Sequence, residues 1–304
     1  MGKRNNLLGL LFASPWIIGF LVFSIYPISA SFYYSLTTFN LFKPPVFVFV
    51  DNYQTMLANE LFWKCLYNTF YMAILGTPVF LVTSLIMSLL LNIKIKGQSF
   101  YRTLFYLPTI VPMIASSMLW IWILNPQSGL INSLLSKIGI SGPNWLADPA
   151  LTKPSLILIG MWTTGNIMIY FLAALQEIPA ALLESAEIDG ANSLNKFYNI
   201  TLPTISPIIL YQLIVNIIYN FQYFTQAYVV IMGSGANGTA SMALGSGGPE
   251  NSLLFYALYL YHRAFVFFKM GEASAMAWML FVLVAIITWL IIKTSNRWVN
   301  YGRE

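Results

Sequence analysis

Six apolar stretches, at about 11–35, 69–91, 104–124, 155–175, 204–231 and 273–292, dominate this 304-residue chain. A helix needs about 20 mainly apolar residues to cross the hydrocarbon core of a bilayer. Each stretch therefore predicts one membrane span, and the fold class it predicts is an all-α integral membrane protein with six transmembrane helices. Only 8% of the chain is charged and 58% is hydrophobic, against about 25% charged in a soluble domain. Such a composition leaves too little polar surface for a water-soluble fold. Pro15, Pro27, Pro78, Pro112 and Gly165 lie inside the stretches, which packed neighbouring helices tolerate.

Charge placement predicts orientation. Six spans put both termini on one side. That side holds Lys3, Arg4, Lys94, Lys96, Arg102, Lys196, Lys293, Arg297 and Arg303, against Lys43, Lys64, Lys137, Lys153, Arg263 and Lys269 on the other. The richer side, with the shorter loops, is predicted to be cytoplasmic. The expected organisation is a cytoplasmic N-terminus at 1–10, a transmembrane domain at 11–293 and a cytoplasmic tail at 294–304. The uncharged run 5–40 is longer than the apolar core of a signal peptide and reads as a retained first span. The basic residues form no stripe, so nucleic acid is not an expected partner, whereas the lipid bilayer is.

Loops at 43–45 and 125–154 are rich in Pro, Asn, Gly and Asp. The Gly-rich stretch 233–248 has no Gly-Lys-Ser/Thr ending and follows no strand, so it is not read as a nucleotide loop. The aromatic run 253–268 is interrupted by His262 and Arg263 and is expected to be an interfacial or re-entrant helix. The single cysteine, Cys65, excludes an intrachain disulfide and reads as a small core residue. His262 has no partner at metal-ligand spacing, and no nucleophile and base can be paired. Metal, cofactor and catalytic residues are therefore all expected to be absent, and the chain is not read as an enzyme.

No expected span carries an acid or base at its centre. Ion-coupled carriers place such groups at mid-membrane, which disfavours a secondary carrier. The fifth span carries a polar stripe instead. Gln212, Asn216, Asn220, Tyr223 and Ala227 fall on one face of a helix, with Tyr219 and Gln226 beside it. Unpaired amides are costly in hydrocarbon, so this face must meet protein or water. Two readings stay open: interhelical hydrogen bonding, or a cavity wall offering amides and phenols to a hydroxylated solute. On the fourth span Trp162, Thr163 and Asn166 form a smaller cluster, which by itself reads as helix packing. Gly165 would let a backbone or a ligand approach there.

Between the fourth and fifth spans lies a charged island, 184–203, with Glu184, Glu187, Asp189 and Lys196. Pro179 suits the first turn of a helix, 180–188 is good helix sequence, and Asp189-Gly190 reads as its stop. Asn192 or Ser193 can cap a second helix that leads to Pro203. The first helix would expose Glu184 and Glu187 on either side of the small Ala186.

The island resembles the EAA loop of permease subunits of bacterial ABC importers. Glu184-Ser185-Ala186 is followed by Asp189-Gly190-Ala191, then, with nine residues between it and Gly190, by Ile200 with Leu202-Pro203. Ser185 stands where the family pattern has Ala, and serine is nearly as small. Residues 14–40, 102–132, 247–265 and 270–281 look like carbohydrate-uptake permeases of the MalF/UgpA type, and the likeness is weakest at 234–246. The resemblance implies a permease that moves a sugar or oligosaccharide across the bacterial cytoplasmic membrane by alternating access. Its partners would be a second, related permease chain forming a heterodimer, two ATPase subunits carrying Mg-ATP, and an extracytoplasmic solute-binding protein. The EAA loop, 177–203, would face the cytoplasm. It would couple to the ATPases through Glu184, with Ser185, Ala186, Asp189, Gly190 and Ala191 shaping the helix and its exit. The substrate pathway would use Asn216, Asn220 and Tyr223, together with Trp162, Thr163 and Asn166. Glycerol phosphate or a polyol is the alternative cargo, although a phosphate ester favours a basic residue that the spans lack.

Overall fold

The computed structural model describes residues 2–233 and 246–301. It divides into two compact units, Met1–Glu60 with Leu260–Val282 and Leu61–Tyr259 with Leu283–Glu304. The principal helices in chain order are α1 (Gly9–Ser35), α2 (Glu60–Asn92), α3 (Gln98–Ile110), α4 (Met113–Ile123), α5 (Thr152–Trp162) and α6 (Gly165–Gln176). They continue with α7 (Ala180–Ile188), α8 (Ser193–Phe221), α9 (Thr225–Gly233) and α10 (Met270–Ser295). Helices α1, α2, α8 and α10 are each long and apolar enough to cross a membrane. The pairs α3/α4 and α5/α6 bend by 98° and 51°, and the total is six if each bent pair crosses as one span.

The bounds differ from the expected ones where the chain breaks. The stretch expected as a fifth span, 204–231, is divided at Phe221, and its remainder is the separate helix α9. The third, 104–124, is no straight rod. Val111, the residue before Pro112, is extended (ψ 127°), a conformation that a following proline favours; α3 ends there and α4 starts afresh in a new direction. The run 253–268 holds only the short helix Tyr256–Tyr261, continued as a wide turn through Val266. Of the Gly-rich stretch expected to be a loop, 234–245 lies outside the described residues.

Three other prolines leave their helices continuous. Pro27, Pro78 and Pro203 each lack the N–H that the carbonyl four residues earlier needs. Those carbonyls belong to Phe23, Ile74 and Asn199, and each sits at the centre of a five-residue π turn: Leu21–Ile25, Met72–Gly76 and Phe197–Thr201. Widening the helix re-aims the surrounding bonds, so that Tyr26, Thr77 and Leu202 donate to Leu21, Met72 and Phe197.

In the first unit α1 ends at a two-residue antiparallel pair, Thr37–Thr38 with Val46–Phe47. Buried Asn52 staples this corner by donating to the carbonyls of Ser35 and Thr37 at 2.8 and 2.9 Å. The start of α10 lies against the same strand, with the Gly271 amide donating to Phe39 O at 3.1 Å. Glu272 is pinned by Arg263 at 3.2 Å and Lys269 at 2.7 Å. In the second unit α6 packs along the C-terminal half of α2, and α8 closes against both. Two apolar clusters mark those contacts: Leu91, Met168 and Leu172, and Ala174, Leu175 and Ile205.

Gly271 has no room for a side chain, since a Cβ there would lie 2.1 Å from the Thr37 carbonyl oxygen. Gly271→Ala must push α10 off the strand at a cost of about 1–3 kcal/mol. The expected outcome is a lower thermal midpoint of the purified protein. An unshifted midpoint would show that this corner yields freely.

Candidate functional site

The second unit encloses a cavity of about 490 Å³. Much of its lining comes from three places where a helix is interrupted. Pro108, Thr109, Val111 and Met113 flank the bend between α3 and α4, and Thr163, Thr164 and Asn166 flank the bend between α5 and α6. Tyr223 and Gln226 stand at the gap between α8 and α9, and Gln212, Asn216, Tyr219 and Asn220 face in from α8. Interrupted helix is tolerated at membrane depth where it lines a cavity, because freed backbone groups can be met there. At the α5/α6 bend the threonines do part of that work. Thr163 Oγ1 donates to Gly160 O at 3.0 Å and Thr164 Oγ1 to Met161 O at 2.8 Å. Gly165 permits the bend by letting the α3 backbone in: a Cβ there would lie 2.8 Å from Phe105 O.

None of the lining side chains is charged. Asn216 Nδ2 donates to Gln212 O at 2.8 Å, Asn220 Nδ2 donates to Thr77 Oγ1 at 2.8 Å, and the Tyr223 hydroxyl donates to Gln226 Oε1. Two polar atoms are left over. Gln212 Nε2 and Asn220 Oδ1 have no hydrogen-bond partner among the described residues, although Gln212 is 3% exposed and Asn220 fully buried. A donor and an acceptor thus stand unspent just beneath one wall, and the amides and phenols of that wall suit a neutral solute with several hydroxyl groups.

Most of the residues expected from sequence meet here. Asn216, Asn220, Tyr223, Thr163 and Asn166 line the cavity; Trp162 does not. The indole of Trp162 packs edge-on against Trp120, with ring centroids 6.0 Å apart. The bend after Trp162 separates it from Asn166, so a spacing that assumed a continuous helix misplaces it. Tyr223 lies beyond the end of α8 and reaches the cavity from the gap, not from the helical face. Tyr170 and Tyr211, whose rings meet at 5.9 Å, also line the cavity and were not singled out in the sequence. Tyr170 lies one helical turn beyond Asn166, a signal that spacing alone could have given.

The charged island of the same unit folds as expected in outline. Pro179 is the residue before helix α7, not part of its first turn, because its ψ of 126° is extended. The helix stops in a Schellman arrangement. Gly190 takes a left-handed φ of 81°, its amide donates to Glu187 O at 3.0 Å, and the Ala191 amide reaches back to Ala186 O at 2.8 Å. Asn192 then caps α8, its side chain accepting from the Asn195 amide at 2.8 Å. Lys196 pairs with Glu187 across the turn, and the ammonium holds the Glu187 carboxyl below the usual range. Glu184, Ser185, Asp189 and Gly190 are exposed, as is Ile188 at 87%, with Leu182, Leu194 and Tyr198 also in the open.

Residues 81–301 match the family described as binding-protein-dependent transport system inner membrane component. The chain belongs to that family. It is therefore a permease subunit of an ABC transporter in the inner membrane, a transport component and not an enzyme. It is 40% identical over 302 residues to the probable ABC transporter permease protein YesP of Bacillus subtilis, covering 98% of this chain and 94% of the relative. It is 30% identical to the arabinooligosaccharides transport system permease protein AraP of the same organism, covering 96% and 90%. Its fold is similar to a chain in the crystal structure of a bacterial ABC transporter that imports the acidic polysaccharide alginate. That match has a TM-score of 0.78 at 24% identity and covers 97% and 96% of the two chains.

The unspent donor on Gln212 costs stability when the cavity is empty. Gln212→Leu keeps the shape and removes the orphan. It is expected to stabilise the purified permease by about 1 kcal/mol, read as an upward shift of about 2 °C in thermal midpoint. A downward shift would show that the amide is already satisfied.

Proposed function

We propose that this permease passes a sugar or short oligosaccharide through the cavity between its helix breaks, by alternating access driven by ATP. The observation that carries the reading is the uncharged wall of amides and phenols, with Gln212 Nε2 and Asn220 Oδ1 unspent. A hydroxyl both donates and accepts, so a carbohydrate can satisfy both atoms. The names of relatives for arabinooligosaccharides, lactose and trehalose/maltose support the same class. A relative named for sn-glycerol-3-phosphate gives the alternative cargo, but a phosphate ester calls for a cation, and the lining has none. Asn216, Asn220, Tyr223, Thr163 and Asn166 are the proposed contacts.

In this reading the chain crosses six times with both termini cytoplasmic, 1–10 and 294–304, flanking a transmembrane domain at 11–293. It pairs with a second related permease and receives its cargo from an extracytoplasmic binding protein. The family description, binding-protein-dependent transport, supports that last partner. The energy comes from two partner ATPases that hold Mg-ATP, which meet the segment 177–203 on the cytoplasmic side. Exposed Ile188, Leu182 and Leu194 offer an apolar contact there, and Glu184 offers a charge that no ion pair occupies among the described residues. Glu184 couples the two machines, with Ser185, Ala186, Asp189, Gly190 and Ala191 setting the helix and its exit. The coupled motion is a rigid-body swing between two states.

Glu184→Lys is expected to cut binding-protein-stimulated ATP hydrolysis of the assembled complex by at least about tenfold, as charge reversal at an interface does. Assembly, followed by co-purification of the ATPases, should persist. Normal stimulated turnover in this variant would remove Glu184 from the coupling.

A further inference from the structure

Between Gly248 and the short helix Tyr256–Tyr261 the chain is irregular, and from Ser252 onward it is deeply buried. Leu253, Leu254 and Phe255 are all 1% exposed or less, and Glu250 and Asn251 take left-handed φ values of 48° and 56°. Buried irregular backbone needs donors for its carbonyls. One side chain supplies two of them. Asn68, fully buried on α2, donates through Nδ2 to Asn251 O and Leu254 O, each at 2.9 Å. Its neighbour Thr69 accepts the Tyr256 amide at 2.9 Å. The segment in turn sets Phe255 against Tyr223, with ring centroids 5.0 Å apart, and Tyr223 is part of the cavity wall.

An asparagine amide is nearly symmetric in shape, so packing alone does not decide which end faces the two carbonyls. Here the two carbonyls select the nitrogen, and a cation on the other side secures the oxygen. Lys153 Nζ lies 3.3 Å from Asn68 Oδ1, and Lys153 is 8% exposed. The ammonium also sits over the faces of Tyr67 and Tyr71, 5.8 and 5.5 Å from their centroids. Among the described residues no carboxylate pairs with it. A buried ammonium without a counter-ion is costly, and neither the cavity lining nor the charged island makes use of it.

We propose that Lys153 is a positioning residue for the cavity wall. Its ammonium holds Asn68 with the amide nitrogen toward the 251 and 254 carbonyls, and through them it fixes the segment that braces Tyr223. Removing the cation leaves Asn68 Oδ1 buried without a partner and loosens the hold of the amide on the two carbonyls.

The test uses the assembled transporter in nanodiscs, with Cys65→Ser as background and Ser252→Cys as reporter. Ser252 is 2% exposed, so the reporter thiol reacts slowly with a charged maleimide while the segment is closed. Lys153→Met is expected to raise that labelling rate about tenfold, the scale of losing one charge-assisted hydrogen bond. Lys153→Arg should restore a rate near the starting one. Asn68→Asp is the second variant: it gives the ammonium a better partner but removes both donors, and should also open the segment about tenfold. A second reporter, Ser88→Cys, lies on the same helix about 30 Å away along its axis and should stay slow throughout. Unchanged labelling at Ser252→Cys in Lys153→Met or Asn68→Asp would overturn the proposal. So would an equal rise at Ser88→Cys, which marks general loosening of the fold.

Discussion

Backbone hydrogen bonds that an apolar run cannot leave unmet govern the second unit. In hydrocarbon every free N–H or C=O costs several kcal/mol, so each departure from straight helix needs a named replacement bond. The chain uses two solutions for its prolines. At Pro78 and Pro203 the helix widens by one residue and stays continuous; at Pro112 it breaks and turns. The difference follows from what precedes the ring. Before Pro112 comes Val111, already extended after the 3-10 turn Leu107–Ile110, whereas Thr77 and Leu202 are held in helical geometry as their π turns close. At Thr163-Thr164, where there is no proline, two hydroxyls donate to carbonyls at the end of α5, Thr163 to Gly160 O, which also accepts the Thr163 amide, and Thr164 to Met161 O.

The same constraint explains why the cavity is neutral and why its polar atoms are asymmetric. Each amide on α8 has one end tied to protein. Asn220 spends its nitrogen on Thr77 and keeps its oxygen, while Gln212 accepts from Asn216 Nδ2 through Oε1 at 3.4 Å and keeps its nitrogen. Tying one end fixes the direction of the other, which makes a preorganised acceptor and a preorganised donor on a single helix. They lie eight residues apart, about 12 Å along the axis. Neutral groups are also the ones a bilayer-embedded cavity can hold while empty, since an orphaned amide costs far less than an orphaned charge.

Much of this was legible in the sequence, and the exceptions share a cause. Apolar length gave the class, and the stripe Gln212, Asn216, Asn220 gave the wall, because both depend on local periodicity. The island was legible in its local chemistry: Asp189-Gly190 was expected as the helix stop and Asn192 or Ser193 as the cap, and Gly190 is left-handed and Asn192 is the cap. What failed was continuity. Trp162 and Tyr223 were placed by extending a helix across a point where it ends, and Tyr170 and Tyr211 meet only because two helices pack. The partnership of Lys153 with Asn68 joins residues 85 apart in the chain, and nothing local announces it.

Helix α8 ties the island to the cavity in a way that loops could not. It runs unbroken from Ser193 to Phe221, the π turn at Phe197–Thr201 absorbing Pro203 without a hinge. Its first turn is capped by Asn192 and joined to α7 by the pairing of Lys196 with Glu187, while its last three turns carry Gln212, Asn216 and Asn220. A 29-residue helix is a rod of about 43 Å. A push on α7, in the proposed coupling, therefore need not pass through a chain of side-chain rearrangements. In that proposal it moves one end of a rod whose other end is the cavity wall, and Gln212 and Asn220 change position as a body.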